Sequence, residues 1–301
     1  IFTKNNSQWR ARPLGEREVE AFRAAAHRSG VSPVLAHTSY LINVASLEPM
    51  LFRKSVEALC LEAERAESLG IPSLVLHPGA HLGRGTPEGL KRVAEALDIL
   101  HARLPDAGLR ILLEGTAGQG TALGVRFEEL AAIFALVAHP ERLAVCLDTC
   151  HLFAAGYEIR TAKGYRETLR AFEATVGLHR LKAIHLNDSK GERGSRVDRH
   201  ELIGKGKIGR EWVRHVVRDR RLDGIPMILE TPKDDDPLRA DRRNLRLLRT
   251  LEGAGGRGGL EYLNSDVRGR ENPLRRDKRS FAVRDADQAR RGKLFGELLI
   301  S

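Results

Sequence analysis

Short apolar runs alternate along the chain with longer stretches of helical period, and each run closes on a histidine or a carboxylate. The runs are Val34-Leu35-Ala36-His37, Leu74-Val75-Leu76-His77, Ile111-Leu112-Leu113-Glu114, Val145-Cys146-Leu147-Asp148, Lys182-Ala183-Ile184-His185 and Met227-Ile228-Leu229-Glu230. Segments this short, rich in Val, Ile and Leu and bounded by glycine or proline, read as buried parallel strands. Between them, apolar residues return every three or four positions. Val19, Phe22 and Ala26 predict a helix over 16–29, and Leu51, Val56, Leu59 and Ala63 one over 50–69. Pro87 and Glu88 open a helix to about Leu104, and Phe127 to Val137 form another. Thr168, Leu169 and Phe172 mark the next, Trp212, Val213 and Val216 one more, and 238–252 the last. Such alternation predicts an α/β parallel sheet with right-handed crossovers, doubly wound or closed. Ligand-type side chains at six strand ends favour closure. An open sheet concentrates its site at one switch point, whereas a barrel brings every C-terminal strand end to one mouth.

Length and composition leave room for this. The 301 residues, 42% hydrophobic, suffice for one large domain, and 5% aromatics mean a core of Leu, Val, Ile and Ala. A formal net charge of +10 favours an acidic partner, with nucleic acid the first candidate. Cys60, Cys146 and Cys150 make no disulfide framework and suit a reducing, cytoplasmic compartment. Cys146 and Cys150 read as small apolar fillers beside Asp148. No apolar stretch is long enough to span a membrane, and no signal peptide is visible. Ile1-Phe2-Thr3 resembles the end of a strand, so the expected barrel lacks its first βα unit and most of one strand. Residues 1–252 form the expected domain. The Gly- and Arg-rich remainder, 253–301, reads as a disordered extension, with Lys293 to Ile300 able to form a short helix.

The chemistry follows from the strand ends. Burying six such groups in one cleft is costly unless something pairs their charge, and divalent metals would do so. His151 follows Asp148 within one turn, and Asp198 and His200 flank Arg199 on one side of an extended segment. The set is then His37, His77, Glu114, Asp148, His151, His185, Asp198, His200 and Glu230, with no thiolate. Imidazole and carboxylate suit Zn²⁺, with Mn²⁺ or Fe²⁺ as alternatives. So many ligands exceed the need of one tetrahedral ion and fit two or three, a carboxylate bridging a pair. Sites of that kind hydrolyse phosphate esters. The remaining histidines, His27, His101, His139, His179 and His215, read as surface residues, and His81 as exposed or behind the ligands.

At these residues the sequence resembles the endonuclease IV family of apurinic/apyrimidinic (AP) DNA endonucleases. The matching stretches are Phe2-Thr3-Lys4-Asn5, His37-Thr38-Ser39-Tyr40-Leu41-Ile42-Asn43, His77-Pro78-Gly79-Ala80-His81 and Glu114-Gly115-Thr116-Ala117-Gly118-Gln119-Gly120. They continue through Asp148-Thr149-Cys150-His151, His185-Leu186-Asn187-Asp188-Ser189-Lys190, Gly194-Ser195-Arg196-Val197-Asp198-Arg199-His200 and Ile228-Leu229-Glu230-Thr231. The resemblance spans residues 1 to about 252 and implies a (β/α)₈ TIM barrel with three zinc ions, Mn²⁺ or Fe²⁺ being alternatives at one site. It implies that Glu114 is catalytic and bridges two ions. His37 and His77 would complete one of these, while Asp148, His185 and Glu230 surround the second. His151, Asp198 and His200 would hold the third. The implied reaction is hydrolysis of the phosphodiester 5′ to an abasic site in double-stranded DNA, leaving a 3′-hydroxyl and a 5′-deoxyribose phosphate, by a monomer. Tyr40 and Leu41 would wedge the duplex; Lys4, Asn5, Gln8 and Trp9 would form a second DNA loop, and Arg196 and Arg199 would approach phosphates. Two other readings stand beside it: a divalent-metal sugar isomerase or epimerase on a related barrel, and an inactive, truncated DNA-binding fragment.

Overall fold

The computed structural model describes residues 1–233, 237–253 and the backbone of 281–283. Its elements run α1 (Glu16–Ser29), β1 (Ala36–His37), α2 (Pro49–Ser68), β2 (Ser73–Leu76), α3 (Thr86–Arg103), β3 (Arg110–Glu114), α4 (Phe127–Leu136) and β4 (Leu143–Asp148). There follow α5 (Thr149–Ala155), α6 (Ala162–Thr175), β5 (Leu181–His185), β6 (Asp188–Ser189), β7 (His200–Glu201), α7 (Glu211–Val217), β8 (Met227–Leu229), α8 (Pro237–Glu252) and β9 (Phe281–Val283). One curled sheet has the order β1-β2-β3-β4-β5-β8-β9, all neighbours parallel. β6 and β7 form a separate antiparallel pair. Ile1 extends the sheet beyond β1: its amino group donates to the Leu35 carbonyl, and the His37 amide donates to the Ile1 carbonyl, both at 2.8 Å. Among the described residues the sheet stays open, a half-barrel with its ends at Ile1 and β9. Most of the tail expected to be disordered, including Lys293 to Ile300, lies outside the described residues.

The expected helices all form, their ends within a residue or two of the periodicity. Local chemistry explains the starts: Pro49 occupies the first turn of α2, and the Glu48 carboxylate accepts from the amides of Met50 and Leu51. α5 is the departure. The Asp148–His151 segment, read as a turn, is the first turn of a helix, because the Asp148 carboxylate accepts from the His151 amide at 2.9 Å. His77 and Glu230 lie one residue beyond their strands rather than on them.

The core has two layers. The larger fills the space between sheet and helices, with Trp212, Phe153 and Phe172 among its fully buried side chains. The smaller is the concave lining of the sheet: Leu35, Val75, Leu112, Ala144, Cys146, Ala183 and Ile228. Side chains alternate faces along a strand, so a residue two positions on shares the same face. Two residues beyond Leu35, Val75, Leu112, Cys146, Ala183 and Ile228 stand His37, His77, Glu114, Asp148, His185 and Glu230. The parity that buries the lining also aims the polar groups into the mouth above it.

His101, expected at the surface, is buried on α3, and neither ring nitrogen hydrogen-bonds to a described residue. Burial pushes it down to about 4, helped by Arg142 and by His139, whose ring meets it edge-on. A histidine depressed in the fold binds fewer protons than its unfolded counterpart, so its stabilisation is full above about pH 6.5 and lost as pH falls through the folded value. Urea unfolding of His101→Phe and the parent should therefore diverge between pH 7 and 4, the variant losing less by on the order of 2–3 kcal/mol. Parallel pH profiles would contradict this origin of acid sensitivity.

Candidate metal centre

β3 places Glu114 at the floor of the mouth, 1% exposed. Its Oε2 lies 3.1 Å from His37 Nε2 and 3.0 Å from His77 Nε2, and its Oε1 lies 2.8 Å from His185 Nδ1. His185 Nδ1 is also 3.2 Å from Glu230 Oε2 and 3.9 Å from Asp148 Oδ2. On the far side, Asp198 reaches His151 Nε2 at 3.2 Å and His200 Nε2 at 3.1 Å, and His200 Nε2 is 3.6 Å from Asp148. Ligand atoms of His37, His77 and Glu114 lie within 4.8 Å of one another, as do those of Glu114, Asp148, His185 and Glu230, and those of Asp148, His151 and His200. Glu114 belongs to two of these groups and Asp148 to two. All nine expected ligands thus converge on one cleft.

Three of the histidines are aimed by their second nitrogens. Nδ1–H of His37 donates to the Thr38 carbonyl at 2.7 Å, that of His151 to Gly115 at 2.9 Å and that of His200 to Glu230 at 3.0 Å. A carbonyl only accepts, so the proton sits on Nδ1 and Nε2 faces the cleft. Nε2 of His151 and of His200 make no hydrogen bond with a described residue despite the nearby Asp198 carboxylate. Ring nitrogens at ion-pair distance from a carboxylate, yet not hydrogen-bonded to it, suit a shared cation. The donor set and these bare nitrogens fit a divalent metal.

Electrostatics agree. Burial works against charge on His151, but Asp148, Asp198 and Glu114 outweigh it and lift the ring to about 10. Burial is likewise overcome at His200, where Asp148 and Asp198 raise it to about 9. His185 is raised well above the usual range against its own burial, with Cys146, Glu114 and Glu230 responsible. Despite burial, His185 and His77 hold Glu114 well below the usual carboxylate range. Charge on His151, His185 and His200 thus stands in for the cation the carboxylates call for. Cys146 and Cys150 approach these groups, yet burial pushes both thiols up to about 12, leaving them protonated.

One polar residue at the centre stands outside the expected set. Asn187 donates to Asp148 Oδ2 at 2.6 Å and accepts from the Glu230 amide at 2.8 Å, tying two strand ends together. It stands two residues beyond His185, so the alternation that marks the ligands also marks it.

Around the mouth, Tyr40 is 61% exposed and Leu41 half-buried, while Gln8, Arg196 and Arg199 are exposed. Asn5 and Trp9 are half-buried, Asn5 accepting from the Ser7 amide and Trp9 lying under the Lys54 ammonium. Arg196 adopts a left-handed backbone, φ 55°. Lys4 departs from expectation: it is 2% exposed and lies 3.2 Å from Glu62, so its ammonium braces the loop from within instead of meeting phosphate. Behind His77, Gly79 has φ 95°, and a β-carbon there would stand 2.3 Å from Asn43 Oδ1. That Asn43 side chain joins the two mouth loops through the amide and carbonyl of Ala80. Gly79→Ala should therefore lower stability by about 2–3 kcal/mol, read as a fall in Tm, through both backbone strain and displacement of Asn43. An unchanged Tm would show that the loop yields freely.

Comparison with known proteins follows the same lines. A family described as xylose isomerase-like TIM barrel matches residues 1–251. The chain is 52% identical over 251 residues to a probable endonuclease 4 of Chloroflexus aurantiacus, covering 83% of this chain and 88% of that one. Endonuclease IV from Thermus thermophilus superposes with a TM-score of 0.72 at 41% identity, covering 83% of this chain and 87% of the other. A D-tagatose 3-epimerase-like protein, at 20% identity and a TM-score of 0.61, covers 79% of this chain and 84% of its own, and shares the fold alone.

Proposed function

The chain belongs to the endonuclease IV family of TIM barrels, and we propose that it is a metal-dependent AP endonuclease that hydrolyses DNA 5′ to abasic sites. The observation that supports this best is Glu114 shared between two ligand groups, with a third group formed by His151, Asp198 and His200 beside them. His37, His77 and Glu114 would hold one zinc ion, Glu114, Asp148, His185 and Glu230 a second, and the remaining three residues the third. Bound there, zinc supplies Lewis acidity toward phosphate oxygens and lowers the pKa of water.

The chain's own residues do the rest. Glu114 and Asp148 contribute buried negative charge that matches dications. The backbone carbonyls of Thr38, Gly115 and Glu230 fix three rings, so no reorganisation is needed when the scissile phosphate arrives. Tyr40 stands out beside His37, its ring centroid 5.8 Å from that imidazole, and would fill the gap a displaced nucleotide leaves. Unstacking costs least where the base is already missing, which gives selectivity for abasic sites. Arg196 and Arg199, exposed next to Asp198, would hold flanking phosphates.

Incubation with a duplex carrying one tetrahydrofuran abasic analogue, beside metal analysis of the purified chain, tests this. The analogue cannot undergo β-elimination, so a cut on its 5′ side leaving a 3′-hydroxyl demonstrates hydrolysis. About three zinc ions per chain are expected with that cut. Turnover of a ketose or aldose with no cut would overturn the reading in favour of a sugar enzyme. Absence of both cut and metal would overturn it in favour of an inactive fragment.

A further inference from the structure

Away from the metal centre, one buried polar cluster has the 5–9 loop and the Ser39–Leu41 turn attached to it. Glu62 on α2 is 1% exposed, and its Oε1 lies 3.2 Å from the equally buried ammonium of Lys4. That ammonium also donates to the carbonyls of Asn5 and Gln8, so it gathers the 5–9 loop around itself. The other oxygen of Glu62 accepts from the Ser39 amide at 2.9 Å, at the start of the turn that carries Tyr40 and Leu41. Ser39 Oγ in turn donates to the Asn6 carbonyl at 2.8 Å, closing the circuit between the two loops. One helical turn on, Arg65 donates from Nε to the Thr3 carbonyl and from Nη1 to the Arg12 carbonyl, each at 2.8 Å. Phe2 packs edge-on against Tyr40 with centroids 5.5 Å apart.

A carboxylate and an ammonium buried together gain little net stability, and apolar side chains of similar volume could fill the space at lower cost. What this pair supplies and an apolar pair cannot is a common anchor: one carboxylate holds an ammonium by charge on one side and accepts from a backbone amide on the other. We propose that Glu62 is a positioning residue that locks the Asn5–Trp9 loop to the Ser39–Leu41 turn, so that both loops engage the duplex as one rigid unit. The inference rests on the endonuclease reading and adds to it the device by which the wedge is held. Extruding a nucleotide from an intact duplex requires the wedge and the neighbouring loop to arrive together. A site already unpaired makes no such demand.

Two variants test it. Glu62→Gln keeps the shape and the acceptor for Ser39 but leaves Lys4 without a counter-charge; Glu62→Asp keeps the charge and retracts it. Amide hydrogen exchange is followed in residues 5–12 and 39–42, and incision is measured on an intact abasic duplex and on one gapped opposite the lesion. In Glu62→Gln, exchange should rise together in both segments, by about tenfold. KM for the intact duplex should rise about tenfold with kcat within about twofold, and the gapped duplex should be cut as by the parent. Glu62→Asp should recover part of each loss, and it carries the test alone if the glutamine variant does not fold. Exchange rising in one segment only, or in neither, overturns the coupling, as does an equal rise in KM on both substrates. If the parent cuts neither substrate the endonuclease reading falls, and the exchange comparison decides the coupling by itself.

Discussion

Glu114→Gln should reduce incision of an abasic duplex by at least about a thousandfold while changing affinity for that duplex by less than about threefold. Four imidazoles surround this carboxylate, with His185, His77, His37 and His151 at 2.8, 3.0, 3.1 and 3.5 Å. An amide of the same shape is neutral, and its nitrogen presents hydrogens where an oxygen lone pair was needed. Two ligand groups lose their common member at one stroke, so the effect exceeds that of removing any histidine that serves one group. DNA affinity, in the proposed binding mode, would rest instead on Tyr40, Arg196, Arg199 and the loops at the rim of the mouth. Single-turnover incision and gel retardation on the same tetrahydrofuran duplex separate the two quantities. Near-normal turnover in this variant would remove the shared carboxylate from the mechanism.

Stripping the metal should abolish incision and also change how stability depends on pH. In the metal-free protein His151 is raised to about 10 and His200 to about 9, both against their burial and by the carboxylates of Asp148 and Asp198. Groups raised in the fold stabilise it fully below the unfolded value near 6.5, and that contribution is lost as pH rises through the folded values. The chelated chain should therefore lose stability steadily from about pH 6.5 to 10, with a fall in Tm on the order of 10 °C. With metal bound, cations replace those protons, the histidines are neutral, and the profile over this window should be nearly level. Metal uptake near neutral pH should accordingly release protons, which calorimetry in buffers of different ionisation enthalpy would count. A chelated protein equally stable from pH 7 to 10 would mean that the clustered carboxylates hold no protons on these rings.

The strand-end residues of the candidate metal centre are legible in the sequence because a single rule governs lining and site. Alternation along a strand is visible there, and the last inward residue of each run is the candidate ligand. The same rule reaches Asn187, which escapes notice because an asparagine past a strand looks like turn chemistry. Lys4 is different in kind. Its burial depends on Glu62, far along the chain, and no local pattern distinguishes a lysine that meets a distant carboxylate from one that meets solvent. His101 is misplaced for a related reason: its helix faces β-sheet on one side and a neighbouring helix on another, so a helical wheel alone does not tell which polar position is covered. The helix after Asp148 is hidden because its capping residue also reads as a metal ligand, and one aspartate does both.

The alternation of the six strands also restricts how this protein can change. Substituting a lining residue alters a volume by a few atoms and leaves every neighbour in its place. Deleting a single residue from a strand does more. Losing one residue between Leu181 and Ile184 would rotate His185 to the helix side and present an aliphatic neighbour to the cleft. A length change within a strand would therefore misplace a candidate ligand, whereas one in a loop at the mouth would leave the strand-end groups in register.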